Sequence, residues 1–378
     1  MKLGIDNIDN YLNIFGTKKV GLITNPTGVN SKLTSTIDIL KQKVNLVCLF
    51  APEHGVRGEF QAGVQFESYI DSITGVPVYS LYTKDKKPTK EMLETVDIVA
   101  IDIQDVGSRF YTYIYTMAYS MMACQEMNKE FVVFDRPNPI NGKTCEGNIL
   151  DLTYRSFIGY YPIIQRHGMT IGELAKMFNE KFAIGVKLNV IPMEGWLRTM
   201  DYYKTGLAWL IPSPNIPTVD TAYLYNGTCI FEGTNVSEGR GTTKPFEYIG
   251  TPYIDGKELS SALNDLNLPG VVFSPVTFTP MFSKHSGVLC KGVQLHITNY
   301  KLFKPVKTGW SMLYMIAKMY PEQFAILPPY RLGGNRMLEL NMGLSYDIIK
   351  NMALEERFNL LDKETNIFKK QRKEYLLY

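Results

Sequence analysis

Between residues 20 and 134 the chain alternates short, unbroken apolar runs with segments whose apolar positions recur at helical spacing. The runs are 20–24 (VGLIT), 44–50 (VNLVCLF), 76–81, 97–103 (DIVAIDI) and 131–134 (FVVF). Helical segments over 35–41, 89–96 and 111–127 separate them, the second with Thr89 as N-cap. A strand that is apolar at nearly every position is covered on both faces, and strands joined by helices pair in parallel. The predicted fold class is therefore α/β, a Rossmann-like, doubly wound parallel sheet.

After residue 134 the pattern is less regular. Thr170 and Glu173 form a capping box that opens a helix over 171–180, and 187–191 reads as a strand. The segment 211–217 (IPSPNIP) carries three prolines, which excludes regular structure. From about Gly250 a smaller α+β unit follows, with strands over 271–278 and 292–298. In the second of these Val293, Leu295 and Ile297 share one face, with Gln294 and His296 on the other. Helices are predicted over 308–319 and 345–351, capped by Thr308 and Ser345. The expected domains are 1–245 and 246–378, with a cleft between them and, in the absence of a low-complexity linker, a sizeable shared interface.

Composition narrows the functional classes. With 378 residues, 45% hydrophobic and 24 Tyr and 19 Phe among them, the chain has ample core and disorder is excluded. A net charge of +3 makes no electrostatic case for nucleic acid. No apolar run approaches the ~18 residues that span a bilayer. The basic cluster Lys369, Lys370, Arg372 and Lys373, with Glu374 beside it, reads as a solvated helix end. Five scattered cysteines without C-x-x-C spacing exclude a disulfide framework and a classical zinc site. The start, Met1-Lys-Leu-Gly-Ile-Asp, lacks a charged segment followed by an apolar one. The expectation is a cytoplasmic protein as written, or an exported one whose leader has been removed.

Ligands of open parallel sheets bind beyond the carboxyl ends of the strands. Polar residues gather at those ends here: Asn25 and Thr27, Glu53 and His54, Gln104 and Asp105, then Asp135 and Arg136. The first turn, NPTGVN, has one glycine and a proline, so it matches neither the dinucleotide fingerprint nor a phosphate loop. No G-x-S-x-G elbow is present either. No cofactor is expected, and the remaining chemistry rests on carboxylates. An apolar setting for Glu53 favours its protonated form, suited to donate a proton at neutral pH; the plainer reading is that it caps the next turn. His54, His167, Glu53 and Asp105 make a weak metal set, because no two histidines have ligand spacing, and no metal is expected. His167 reads better as a ligand of backbone or substrate hydroxyls. Arg109 opens a helix with Tyr111 and Tyr113, either of which suits a sugar ring. The stretch 231–246 sets Glu232, Asn235, Glu238, Arg240 and Lys244 among four glycines, and reads as a cleft wall facing Glu53.

In order along the chain, LITNPTGV, FAPEHGVRGE, DIQDVGSRFYTY, DRPNPINGKTCEG, RHGMTIGELA, PSPNIPTVDTA, EGTNVSEGRGTTKPFE and YLLY resemble the exo-β-N-acetylmuramidase (NamZ-like) family, long labelled a domain of unknown function. The resemblance runs from about Gly4 to Tyr378. It implies a glycoside hydrolase that removes β-1,4-linked N-acetylmuramic acid from the non-reducing end of peptidoglycan fragments. It also implies a Rossmann-like domain, a smaller C-terminal domain and a cleft between them, with the PEHG glutamate, Glu53, as catalytic candidate. Many members of that family carry an export signal, and this sequence shows none.

Glycosidases commonly use two carboxyl groups. With Glu53 as general acid, Asp105, Glu232 and Glu238 are the candidates for the second, or the substrate's 2-acetamido group attacks and a carboxylate orients it. Arg109, Arg136, Arg240 and Lys244 are the candidates for the lactyl carboxylate of muramic acid. Asn25, His54, Arg57, Tyr111, Asp135, His167 and Asn235 complete the expected substrate contacts. The expected partner is a muropeptide or disaccharide, with neither nucleic acid nor a membrane span. Two rival readings stand beside this one: a muropeptide- or amino-sugar-binding protein without turnover, and a metal-dependent hydrolase.

Overall fold

The computed structural model describes residues 1–53, 55–58, 67–81 and 86–378. The apolar runs become β1 (Lys19–Thr24), β2 (Asn45–Ala51), β4 (Pro77–Ser80), β5 (Ile98–Asp102) and β6 (Glu130–Phe134), and a two-residue edge strand, β3 (Tyr69–Ile70), precedes β4. A side pair follows, β7 (Glu146–Ile149) and β8 (Ile164–Arg166), before β9 (Lys187–Ile191) rejoins the main sheet. Its seven strands lie in the order β3-β4-β2-β1-β5-β6-β9, all neighbours parallel except β3 against β4.

Successive side chains of a strand point to opposite faces, and the core divides accordingly. Val20, Leu22, Ile98, Ala100, Val132 and Phe134 belong to one apolar layer, and Ile23, Val99, Ile101, Phe131 and Val133 to the other. The helix Thr36–Lys43 contributes Ile37 and Leu40 to the first layer, whereas Tyr113–Glu126 and Ile171–Glu180 pack in the second. Burial on both faces is what the unbroken runs require, and the expected α/β fold with its smaller C-terminal unit is the fold observed.

That unit is built on a three-stranded antiparallel sheet, β10 (Tyr248–Thr251), β12 (Cys290–Ile297) and β11 (Val271–Phe278), in that order. Val293 and Leu295 are buried under the helix Gly256–Asn264, while Gln294 and His296 are half-buried on the other face. The next helix begins at Pro305, not Thr308: proline suits a first helical turn, and the Thr308 hydroxyl donates back to the Lys304 carbonyl at 2.8 Å. Among the described residues, five helices were given no span by the sequence pattern: Leu12–Phe15, Val219–Thr228, Gly256–Asn264, Met337–Met342 and Leu354–Gln371. The last carries Lys369 and Lys370 in its final turn, but Arg372 is not a solvated end. It is buried, and its guanidinium donates to the carbonyls of Gly142, Lys143, His167 and Gly168. Among the described residues no helix is long and apolar enough to cross a membrane.

Candidate active site

Strand order reverses between β1 and β5, so the loops that follow them form the switch point of the sheet. They are tied together: the Asn25 side chain accepts from the Thr27 amide (3.0 Å), and the Thr27 hydroxyl accepts from the Gln104 amide (2.9 Å). Gly28 serves close packing here, since a Cβ would lie 2.0 Å from the Thr24 hydroxyl and 3.0 Å from the Asp102 carbonyl.

Beside this junction a cavity of about 690 Å³, its open mouth included, collects side chains from segments far apart in sequence. Glu53 arrives from the end of β2, and Tyr111 and Tyr113 from the connection after β5. Asn215 comes from the proline-rich stretch, Glu232 and Arg240 from the glycine-rich one, and Asn341 from the helix Met337–Met342. Edge-to-face pairs stiffen the aromatic wall: Phe110 with Tyr225 at 5.2 Å, Tyr225 with Phe246 at 4.7 Å, and Tyr111 with Tyr113 at 5.0 Å.

The electrostatics of the wall are set by one pair. Arg240 donates to Glu232 Oε1 from Nη2 (2.5 Å) and Nε (3.2 Å), and its guanidinium lies 5.1 Å from the centre of the Phe246 ring. The Cys229 thiol donates weakly to Glu232 Oε2 at 3.6 Å. Burial, then the neighbouring Tyr113, Asp105 and Glu53, push the Tyr111 hydroxyl well above its ordinary pKa, so it stays a donor; among the described residues its oxygen has no hydrogen-bond partner. The Tyr113 hydroxyl is committed to the Pro212 carbonyl at 2.7 Å. Lys86, over the Phe157 ring at 4.1 Å, is near enough for Glu53 to oppose the lowering of its pKa by burial.

Of the residues expected from sequence, the structure brings Glu53, Tyr111, Tyr113, Glu232 and Arg240 into this cavity. The other described candidates lie outside it. Asp105 is buried, accepting from the Gly107 amide (2.7 Å) and facing His167 Nε2 at 3.2 Å. His167 Nδ1 accepts from the Met169 amide, which places its proton on Nε2 on the side of Asp105, and the side chain is fully buried outside the cavity. Asp135 accepts from Thr170, Gly172 and Tyr378, so it caps a helix instead of meeting substrate. Arg136 is spent on Asp102 and the Val29 carbonyl. Arg109, with no exposed surface, donates to the carbonyls of Asn148, Ile163, Asn341 and Met342; burial lowers its pKa to about 10, still a cation at neutral pH.

Arg57 forms a two-point pair with Asp71 (2.7 and 2.9 Å), and Lys244 pairs with Glu247 at 2.9 Å. Glu238 is buried between Lys284 (2.6 Å) and Arg240 (3.4 Å), so it braces the wall from behind. Asn25 is buried in the β1 turn, and Asn235 spends its amide on Gln323, Ala325 and Tyr253. His54 lies outside the described residues. Among those described, no group of three or more His, Cys, Asp or Glu side chains is arranged to hold a metal ion.

Asn215, Tyr225 and Asn341 line the cavity without having been anticipated. Asn215 had a signal, a polar residue fixed among prolines. Tyr225 sits in an unremarked helix, and Asn341 gives no local cue.

What the cavity offers is acid–base chemistry on a polyhydroxylated ring, the work of a glycoside hydrolase. The chain belongs to the exo-β-N-acetylmuramidase NamZ family: the model of its N-terminal part matches residues 20–220, and that of its C-terminal part residues 223–378. It is similar to the peptidoglycan β-N-acetylmuramidase NamZ of Bacillus subtilis (strain 168), 51% identical over 381 residues, covering 100% of this chain and 91% of that one. Two solved DUF1343 family proteins of Bacteroides fragilis NCTC 9343 share the fold. One has a TM-score of 0.90 at 38% identity and the other 0.77 at 32%, each comparison covering 100% of this chain and 98% of the neighbour.

Proposed function

We propose that this protein is an exo-acting glycoside hydrolase that releases β-1,4-linked N-acetylmuramic acid from the non-reducing end of peptidoglycan fragments, disaccharides and muropeptides among them. The observation that carries the proposal is the full-length likeness to a peptidoglycan β-N-acetylmuramidase, combined with Glu53 and Glu232 lining one cavity. Glu53 is the general acid that protonates the departing glycosidic oxygen. Glu232 is the second carboxylate, fixed in orientation by Arg240, and acts on the anomeric side of the reaction. Tyr111, a buried hydroxyl that keeps its proton, donates to the bound sugar. Arg240 also takes the lactyl carboxylate, because, of the four candidate cations, Arg109, Arg136, Arg240 and Lys244, it is the one that lines the cavity.

The test is hydrolysis of a chromogenic β-N-acetylmuraminide beside the matching N-acetylglucosaminide, each with and without a chelator. Release from the muraminide alone, indifferent to chelator, is expected. Chelator-sensitive release points to the metal-dependent alternative, and tight binding of both sugars without release points to a binding protein.

A further inference from the structure

A second, wider concavity, of about 1600 Å³ with its open mouth included, adjoins the cavity that holds Glu53 and shares Asn215 and Arg240 with it. Its walls are Pro214, Pro217 and Pro245 on one part and Phe282 on another, with Thr243 and Ser283 at the rim. Phe282 is 58% exposed and Met281 beside it 80%. A single exposed apolar side chain is ordinary, but an aromatic ring lining a groove continuous with a reaction cavity marks a ligand surface.

The ring stands on a rigid support. Gly241, at φ +82°, packs so closely on the Phe282 backbone that a Cβ would lie 2.4 Å from its carbonyl oxygen, and the Met281 amide donates to the Gly241 carbonyl at 2.9 Å. Two residues on, Lys284 donates to the carbonyls of Phe231, Thr234 and Val236 and pairs with Glu238. The hairpin bearing Phe282 is thus clamped to the segment bearing Glu232 and Arg240, and little ordering remains to be done when a ligand arrives.

The chemistry of the groove is flat apolar surface edged by hydroxyls. Of the cations near it, Lys244 faces Glu247, and Arg240 stands against Glu232 where the groove meets the cavity. That pattern fits a pyranose, with C–H faces and hydroxyl edges, better than a peptide rich in carboxylates. An enzyme that takes the terminal sugar into a cavity must let the remainder of the substrate leave through the mouth, which is where this groove begins. We infer that the groove is the subsite for the sugar on the leaving-group side of the scissile bond, with Phe282 as its stacking platform; the inference rests on the muramidase reading.

The experiment compares wild type, Phe282→Ala and Phe282→Tyr on three substrates. These are the disaccharide MurNAc-β-1,4-GlcNAc, methyl β-N-acetylmuraminide, and that methyl glycoside carrying a lactyl-linked dipeptide. Phe282 is exposed enough for both variants to fold. Phe282→Ala is expected to lower kcat/KM for the disaccharide about tenfold, chiefly through KM, and to leave both methyl glycosides within about twofold, with Phe282→Tyr restoring most of the loss. Equal losses on all three, or no loss on any, overturn the inference. A loss confined to the dipeptide-bearing glycoside overturns it as well and gives the groove to the peptide. If wild type cleaves none of the three, the muramidase reading fails first and the subsite falls with it, an outcome distinct from a groove that does not bind sugar.

Discussion

Two polar clusters lie at the carboxyl-end side of the main sheet, and they differ in what surrounds each charge. Around Asp135, Asp105, His167 and Arg109 the groups are sealed in the interior, most of them met by backbone or a neighbouring side chain, with Asp105 Oδ1, His167 Nε2 and Arg109 Nε buried without a hydrogen-bond partner among the described residues. Around Glu53, Glu232, Arg240 and Tyr111 the groups open on a cavity, and the Tyr111 oxygen has no partner among the described residues. Residue type does not separate the clusters, since each contains carboxylates and a guanidinium. Access does: a charge sealed in the interior fastens segments together, and one that lines a cavity is within reach of a substrate.

The largest effect that sharpens this contrast is expected at Glu53. Glu53→Gln keeps the shape and removes the proton donor, so kcat/KM on a β-N-acetylmuraminide should fall by about 10³-fold, with the thermal midpoint unchanged. Steady-state kinetics beside a thermal melt check it, and activity retained within about tenfold would place the acid elsewhere.

Next is Arg109→Met in the closed cluster. The four carbonyls that Arg109 satisfies would be left in the interior, and a loss of about 3 kcal/mol is expected from urea unfolding, the slope unchanged. Turnover by the molecules that remain folded should stay within about threefold, which marks a structural cation. A drop in turnover at unchanged stability would instead return Arg109 to the substrate.

The fold was legible because its signal is local. The run 97–103 is apolar enough to be buried on both faces, and β5 lies inside the sheet between β1 and β6 with all five of its residues buried. Of the helix Leu354–Gln371 only the basic end was legible, because only Arg357, Leu361, Thr365 and Phe368 are buried along a strongly charged stretch. At the site, Glu53 and the 231–246 segment stood out as polar residues where the fold needs loops. The contrast between Arg109 and Arg240 did not. What closes around Arg109 includes the carbonyls of Asn341 and Met342, more than 230 residues away, and no local pattern encodes that meeting.

A smaller effect tests the closed cluster through pH. Burial pushes the Asp135 carboxyl up to about 7, against the pull of hydrogen bonds from Tyr378, Gly172 and Thr170. The unfolded carboxyl titrates near ~3.9, so the folded protein holds this proton more tightly. Its contribution to stability is complete below about pH 4 and is lost as pH rises through about 7. Asp135→Asn removes that titration. Relative to the variant, wild type should lose on the order of 2 kcal/mol between about pH 5 and pH 8, read from urea midpoints. The opposite slope would mean that the donors outweigh burial and that the cluster holds a carboxylate.

The smallest effect is at Tyr378, whose hydroxyl donates to Asp135 (2.7 Å) and accepts from the Met193 amide (2.8 Å), with its ring edge-on to Trp196 at 5.3 Å. Tyr378→Phe keeps the ring and strips both hydrogen bonds, which should cost about 1 kcal/mol. Losing a donor also disfavours the ionised Asp135, so the pH-dependent fall in stability should move to higher pH. Activity should hold within about twofold at a pH where the variant is folded, because nothing in this cluster opens on the cavity. A tenfold loss of turnover at unchanged stability would break the comparison itself, since the packing that fastens Tyr378 to the sheet would then be coupled to the reaction.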